Sequence, residues 1–174
     1  AGAFEEDEKI PGLVDGVKEQ MQILDQAAVE MIDSELSLRL RKETSEQFED
    51  KIFPPMLELQ KRILDLIHSV ENIVKRLDEK DLELPVVHEV RMLERRMEAF
   101  ASVCQAFTLW EEKRGDIFWM EKSRSSSGEY FARFVITPLD ISQMMRDSVF
   151  GPYETVICTS ATLSVNRDFR FWST

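Results

Sequence analysis

Cysteine and histidine are scarce, two of each in 174 residues. Cys104 and Cys158 stand far apart in apolar surroundings, so no disulfide framework is expected. Neither residue type recurs at the spacing of a metal site, and the expected compartment is reducing and cytoplasmic. No apolar run approaches the roughly 18 residues of a transmembrane helix, so no membrane partner is expected, and the opening residues lack a secretory pattern. Positive charge is also short. Lysine and arginine number 22 against 33 acidic residues, for a net charge of −11. Residues 1–50 carry 5 basic and 14 acidic side chains, residues 51–113 carry 10 and 12, and the remainder 7 and 7. An acidic surface repels the phosphate backbone, which excludes a chain that is basic overall and binds nucleic acid with its whole surface. Any such contact needs a local patch.

What the chain has is heptads. Glu5-Glu6-Asp7-Glu8 reads as a solvated start. From about Gly12 to Ser34, Val14, Val17, Met21, Leu24, Ala28 and Met31 repeat at alternating steps of three and four, the seam of one helix. Leu36, Leu38 and Leu40 then alternate with Ser37, Arg39 and Arg41, which fits a loop or an extended piece. A helical turn or two from Thr44 leads to Pro54-Pro55, which sets a second helix with the seam Met56, Leu59, Ile63, Leu66, Val70, Ile73 and Leu77. Pro85 starts a third, with the seam Val86, Val90, Leu93, Met97, Phe100, Cys104 and Phe107, ending before Gly115. Three long helices with short connections are expected to pack antiparallel as one bundle.

At Asp116 the period changes to two. Ile117 to Met120 and Tyr130 to Ile136 are predicted strands of a hairpin, with a serine-rich turn from Ser123 to Gly128. Asp140 is placed to cap a short helix that Gly151 and Pro152 end. Val156-Ile157-Cys158 then reads as a short buried strand, followed by Thr159-Ser160-Ala161-Thr162-Leu163-Ser164. The expected fold is mainly α: an antiparallel bundle of three long helices over 1–115, then a region over 116–174 with a small β hairpin and a C-terminal strand, the remnant of an α/β motor domain.

Two clusters are dense in positive charge, Arg39-Arg41-Lys42 and Arg91-Arg95-Arg96. Each reads either as a solvated helix or loop face with nearby glutamates, or as a weak contact for a passing single strand. Trp110 and Trp119 flank the change from helix to strand, as packing anchors or as stacking surfaces. His68 and His88 read as surface residues and Cys104 as core.

The hydroxyl string after an apolar strand, Thr159-Ser160-Ala161-Thr162-Leu163-Ser164, resembles motif III of the DinG/XPD-type helicases of superfamily two. Pro138-Leu139-Asp140-Ile141-Ser142, Phe150-Gly151-Pro152-Tyr153 and Asp168-Phe169 are similar to that family as well, over about Thr137 to Phe171. The resemblance implies an ATP-dependent DNA helicase using ATP and magnesium, with single-stranded DNA as partner. It gives Thr159, Ser160, Ala161 and Thr162 the role of coupling hydrolysis to movement. The phosphate loop, the Asp-Glu-Ala-His box and the later arginine motif are not in this sequence, so the chain alone is expected to be inactive and to bind none of these cofactors. It matches in order the family's helical arch, inserted in the first motor domain ahead of motif III, and is expected to be a fragment of that region. An iron–sulfur cluster, held in some members by cysteines upstream, is neither supported nor excluded. Unpaired strands are expected to favour self-association. A free-standing coiled-coil adaptor is the competing reading, and a different α/β nucleotide enzyme a third.

Overall fold

Prolines open all three long helices. In the computed structural model, which describes residues 9–33 and 35–157, α1 (Ile10–Ile32) has Pro11 in its first turn. A short α2 (Ser45–Lys51) runs through Ile52 into α3 (Phe53–Val74), which carries Pro54 and Pro55 in its first turn, and α4 (Pro85–Thr108) begins on Pro85. Proline's missing N–H is no loss where the helix has no partner for it. A 3₁₀ turn, Trp110–Glu112, follows α4. The strands are β1 (Ser37–Arg39), β2 (Asp116–Arg124) and β3 (Tyr130–Pro138), in one antiparallel sheet of order β1-β2-β3. The described structure is thus mainly helical with a small three-stranded sheet.

Residues up to Pro138 form one compact unit and those from Leu139 another. The hairpin, expected to open the second region at Asp116, folds with the helices: Phe118 and Met120 of β2 are buried in the same core as Leu24, Ile63 and Phe107. The reason is the alternation along β2, which aims Phe118 and Met120 at one face. Phe107 meets Phe118 and Phe134 edge to face, with ring centroids 5.2 and 5.4 Å apart. A buried aromatic cluster of this kind stabilises beyond its area, by about 0.5–1.5 kcal/mol per pair.

The segment that the sequence left between loop and strand is β1. Leu38 pairs with Met120, and Leu40 N–H donates to Phe118 O at 2.9 Å. The outer edge of β3 is partly covered too, because Ala132 N–H donates to Asp25 Oδ1 of α1 at 2.7 Å. A carboxylate on an edge strand's donor discourages pairing with another chain. Gly128, at φ +92°, closes the hairpin loop in a conformation that glycine adopts without strain.

α3 lies in the middle, against α1 on one side and α4 on the other, while α1 and α4 barely touch. Two polar ties fix α1 on α3. Gln20, the buried polar residue of α1, donates from Nε2 to Pro55 O at 3.0 Å. Arg62 donates from Nη1 to Gly16 O at 2.9 Å and from Nε to Glu58 Oε1, also at 2.9 Å.

The second seam is as expected over its first four residues, Met56, Leu59, Ile63 and Leu66, which are all buried; Val70 and Ile73 are half-buried, and Leu77 lies beyond the end of the helix. The third is not. Val86, Leu93 and Phe100 are exposed, Phe100 at 56%, whereas Val87 and Ala101 are buried and Glu94 is half-buried. The row Val90, Met97 and Cys104 faces inward in either reading, so the helix chose its other flank. Ala101 and Cys104 are small and let α4 approach α3 closely, which favours this rotation. Phe107, two turns beyond Phe100 on the same flank, is buried as the seam predicts, because at that end the flank meets the rings of the sheet. Met21 of the first seam is exposed for the related reason that α1 and α4 leave a gap between them.

In the second unit, Ser142 N–H donates to Asp140 Oδ1 at 2.8 Å at the start of α5 (Ser142–Met145), which passes into a π-helical turn, Arg146–Phe150. The Ser142 hydroxyl first, and then that N–H, hold the Asp140 carboxyl below its ordinary pKa. The expected strand at Val156-Ile157 is irregular there, and Ile157 is exposed. A strand exists only as one member of a ladder, and no described residue pairs with it. Cys158 and the rest of that strand lie outside the described residues.

Candidate nucleic-acid interface

Arg39 ends β1, and the next four residues form a tight turn. Leu40 is buried and bonded to β2, so Arg39 and Arg41 point outward on either side of an anchored residue. Thr44 locks the turn: its Oγ1 donates to Arg39 O at 2.8 Å and accepts from Arg41 N–H at 3.0 Å. Across from it, the 3₁₀ turn after α4 is closed by Lys113 N–H donating to Trp110 O, and Asp116 N–H donates to Lys113 O, each at 3.0 Å. The pairing of β1 with β2 brings these two turns together.

Between them lies a groove of about 730 Å³. Its lining carries five cations, Arg39, Arg41, Lys42, Lys113 and Arg114, against three carboxylates, Glu43, Glu111 and Asp116. That is a local excess of two positive charges on a chain of net charge −11. None of the five cations holds an ion pair among the described residues, in contrast to Arg62, Lys75 and Arg133. Trp110 is half-buried, packed on the core on one side and lining the groove on the other.

The second cluster fares differently. Arg91, Arg95 and Arg96 are exposed on α4 and line no groove with the first. Neither cluster joins the other. Trp119 is also apart from the groove: its Nε1–H lies 3.4 Å from Glu121 Oε2 within β2. Lys113 and Arg114 were missed in the sequence because they are only a pair, set directly after Glu111-Glu112; the signal available was their closeness to Trp110 at the change of period.

A second groove of about 730 Å³ lies over α3 between α1 and α4, lined by Met21, Leu59, Phe100, Val103 and Phe131 among others, and it is mostly apolar. It is the gap left by the rotation of α4. Cys104 at its floor is buried, and burial pushes its thiol up to about 11, so it is not a nucleophile at neutral pH. Half-buried Glu94 is the other anomaly. Its Oε1 is buried without a hydrogen-bond partner among the described residues, and burial, with Glu71 and Glu98 nearby, raises its pKa. His68 and His88 are exposed. Among the described residues no group of three or more His, Cys, Asp or Glu side chains could hold a metal ion, and no helix is long and apolar enough to cross a membrane.

No protein-family model, curated protein or solved structure matches the chain.

The motif residues Thr159, Ser160, Ala161 and Thr162 lie outside the described residues. What is described of their surroundings is the lead-in. The resemblance begins at about Thr137, and the division between the two compact units falls at Pro138 and Leu139.

Proposed function

We propose that the chain is part of an ATP-dependent DNA helicase of DinG/XPD type, an arch-like helical insertion followed by the motif III edge of the first motor domain. The observation that carries this is the hydroxyl string Thr159-Ser160-Ala161-Thr162-Leu163-Ser164 with its lead-in, placed after a helical unit. The coincidence of the unit division with the start of the motif-bearing stretch supports it, since an insertion is expected to fold as a body of its own. In this reading the parent protein hydrolyses ATP with magnesium, the helical unit borders the single strand, and the motif couples hydrolysis to strand separation.

The physical role of the motif follows from its chemistry. Neutral hydroxyls stabilise little charge, but they hold carboxylates and waters in one of two arrangements. Each deleted hydrogen bond is worth about 0.5–1.5 kcal/mol, enough to shift a balanced equilibrium and too little to abolish binding. The test is Ser160→Ala with Thr162→Ala in the parent enzyme. ATP binding is expected to stay within a few-fold while unwinding falls further than hydrolysis. Equal losses contradict the coupling role, and no loss in either removes the residue-level support for the family.

A coiled-coil adaptor remains the second reading, and the exposed apolar row Val86, Leu93 and Phe100 favours it. It leaves the hairpin, the basic groove and the hydroxyl string without a purpose.

A further inference from the structure

We infer that the groove between the Arg39–Thr44 turn and the Trp110–Arg114 turn is a binding site for single-stranded nucleic acid, with phosphates on its cations and a base stacked on Trp110. This deepens the helicase reading by naming where on the chain the strand lies.

Four observations carry it. First, the cations converge from two elements far apart in sequence, as a site does and as a solvated helix face does not. Second, they are without ion pairs among the described residues, so no salt bridge must break before a phosphate binds. Third, Trp110 stands among them with one side fixed by the core, and an indole held from behind offers its free surface without losing rotamer freedom. Fourth, both turns are anchored by backbone bonds and by buried Leu40, so the charges are held in place before the ligand arrives. Cations along a groove with an aromatic platform are the recurring chemistry of single-strand binding, and stacking tolerates any base. A duplex hides its base faces and offers Trp110 nothing to stack on. A phosphopeptide would use the cations and leave the indole idle.

The acidic remainder of the chain sets the character of the binding. Repulsion from a net charge of −11 makes it weak and dependent on salt. If all five cations meet phosphates, affinity falls by up to about a hundredfold between ~50 and ~200 mM salt, from a slope of about −0.7 per phosphate. Glu111, on the groove wall, opposes the strand, so Glu111→Gln tightens binding.

The experiment is fluorescence anisotropy of the full chain with a labelled thymidine homopolymer of about 15 nucleotides, without ATP. The motif is not read out, so failure here leaves the motif reading standing, and failure of the coupling test leaves this one standing. The expected result is salt-dependent binding that Arg41→Glu with Arg114→Glu abolishes, and that Trp110→Ala lowers about tenfold. Trp110→Phe, which keeps a ring and the core contact, retains binding within about threefold and guards against a folding defect. Arg91→Glu with Arg95→Glu and Arg96→Glu leaves affinity within about twofold. Three results overturn the inference: no binding at low salt, binding indifferent to the groove charges, or equal competition by a phosphorylated peptide with no effect of Trp110→Ala.

Discussion

The two ends of the α3–α4 pair are built differently. At one end α4 meets the sheet: Phe107 lies between Phe118 and Phe134, Phe48 and Ile52 close the side, and all but Phe134 of these are buried. At the other end two helices have only each other. Val70, Ile73, Leu77 and Val90 are half-buried, Val86 and Leu93 are exposed, and Glu94 occupies an inward position with an unpaired oxygen. Two layers around one core make a stable unit, and a lone helix pair cannot cover its own apolar stripe. The same contrast separates the two basic clusters. Arg39, Arg41 and Lys42 stand at the sheet end, where turns fix them around a groove; Arg91, Arg95 and Arg96 stand along the free helix pair, where nothing converges on them. Each cluster brings three cations, but only the end with a third layer makes a site of them.

The largest effect expected is at the sheet end. Phe107→Ala should cost about 3–5 kcal/mol in urea melts, because it opens a cavity between two rings and the helix. Leu66→Ala, towards the other end, should cost less, about 2–3 kcal/mol, since the helix pair there is free to collapse on the gap. Equal losses at the two sites would erase the distinction between the ends.

These sites also mark what the sequence made legible. The α3 seam was readable because most of its apolar residues form one stripe, with Leu57 and Leu64 exposed off it, so Leu66 is buried as its spacing predicts. The α4 seam was not, because two apolar flanks share the row Val90, Met97 and Cys104, and only tertiary packing chooses between them. Periodicity saw Leu93, Phe100 and Phe107; close approach at Ala101 selected Val87 and Glu94 instead along the free part of α4, and only Phe107, where the flank meets the sheet, is buried. β1 was ambiguous because three residues acquire strand character only from Trp119, Met120 and Glu121, far along the chain. The groove was half legible for the same reason: Arg39, Arg41 and Lys42 stood out, but their partners Lys113 and Arg114 join them only through the β1–β2 pairing.

Glu94 gives an intermediate effect with a pH signature. Its folded pKa is raised, so the fold is penalised when the carboxyl is ionised and relieved as pH falls through that raised value. Glu94→Gln should therefore stabilise the chain at pH 7. The gain should shrink as pH is lowered towards and below the ordinary value of 4.5. Thermal melts across that range check it; a gain independent of pH would show that the charge is not the cause.

The smallest effect is the one that separates the two readings of α4. Phe100→Ala should cost under ~1 kcal/mol, because the ring is more than half exposed and its removal opens no cavity. A loss as large as that of Phe107→Ala would restore the seam through Leu93 and Phe100.

The most direct measurement is amide hydrogen exchange along the full chain, with and without the thymidine homopolymer. The sheet end is predicted to be both the slower to exchange and the part that responds to the ligand. Without ligand, amides from Ala101 to Thr108 should exchange more slowly than those from Val87 to Met97. With ligand, added protection should appear from Arg39 to Thr44 and from Trp110 to Asp116, and not from Arg91 to Arg96. Protection that instead appears along Arg91 to Arg96 would contradict the account.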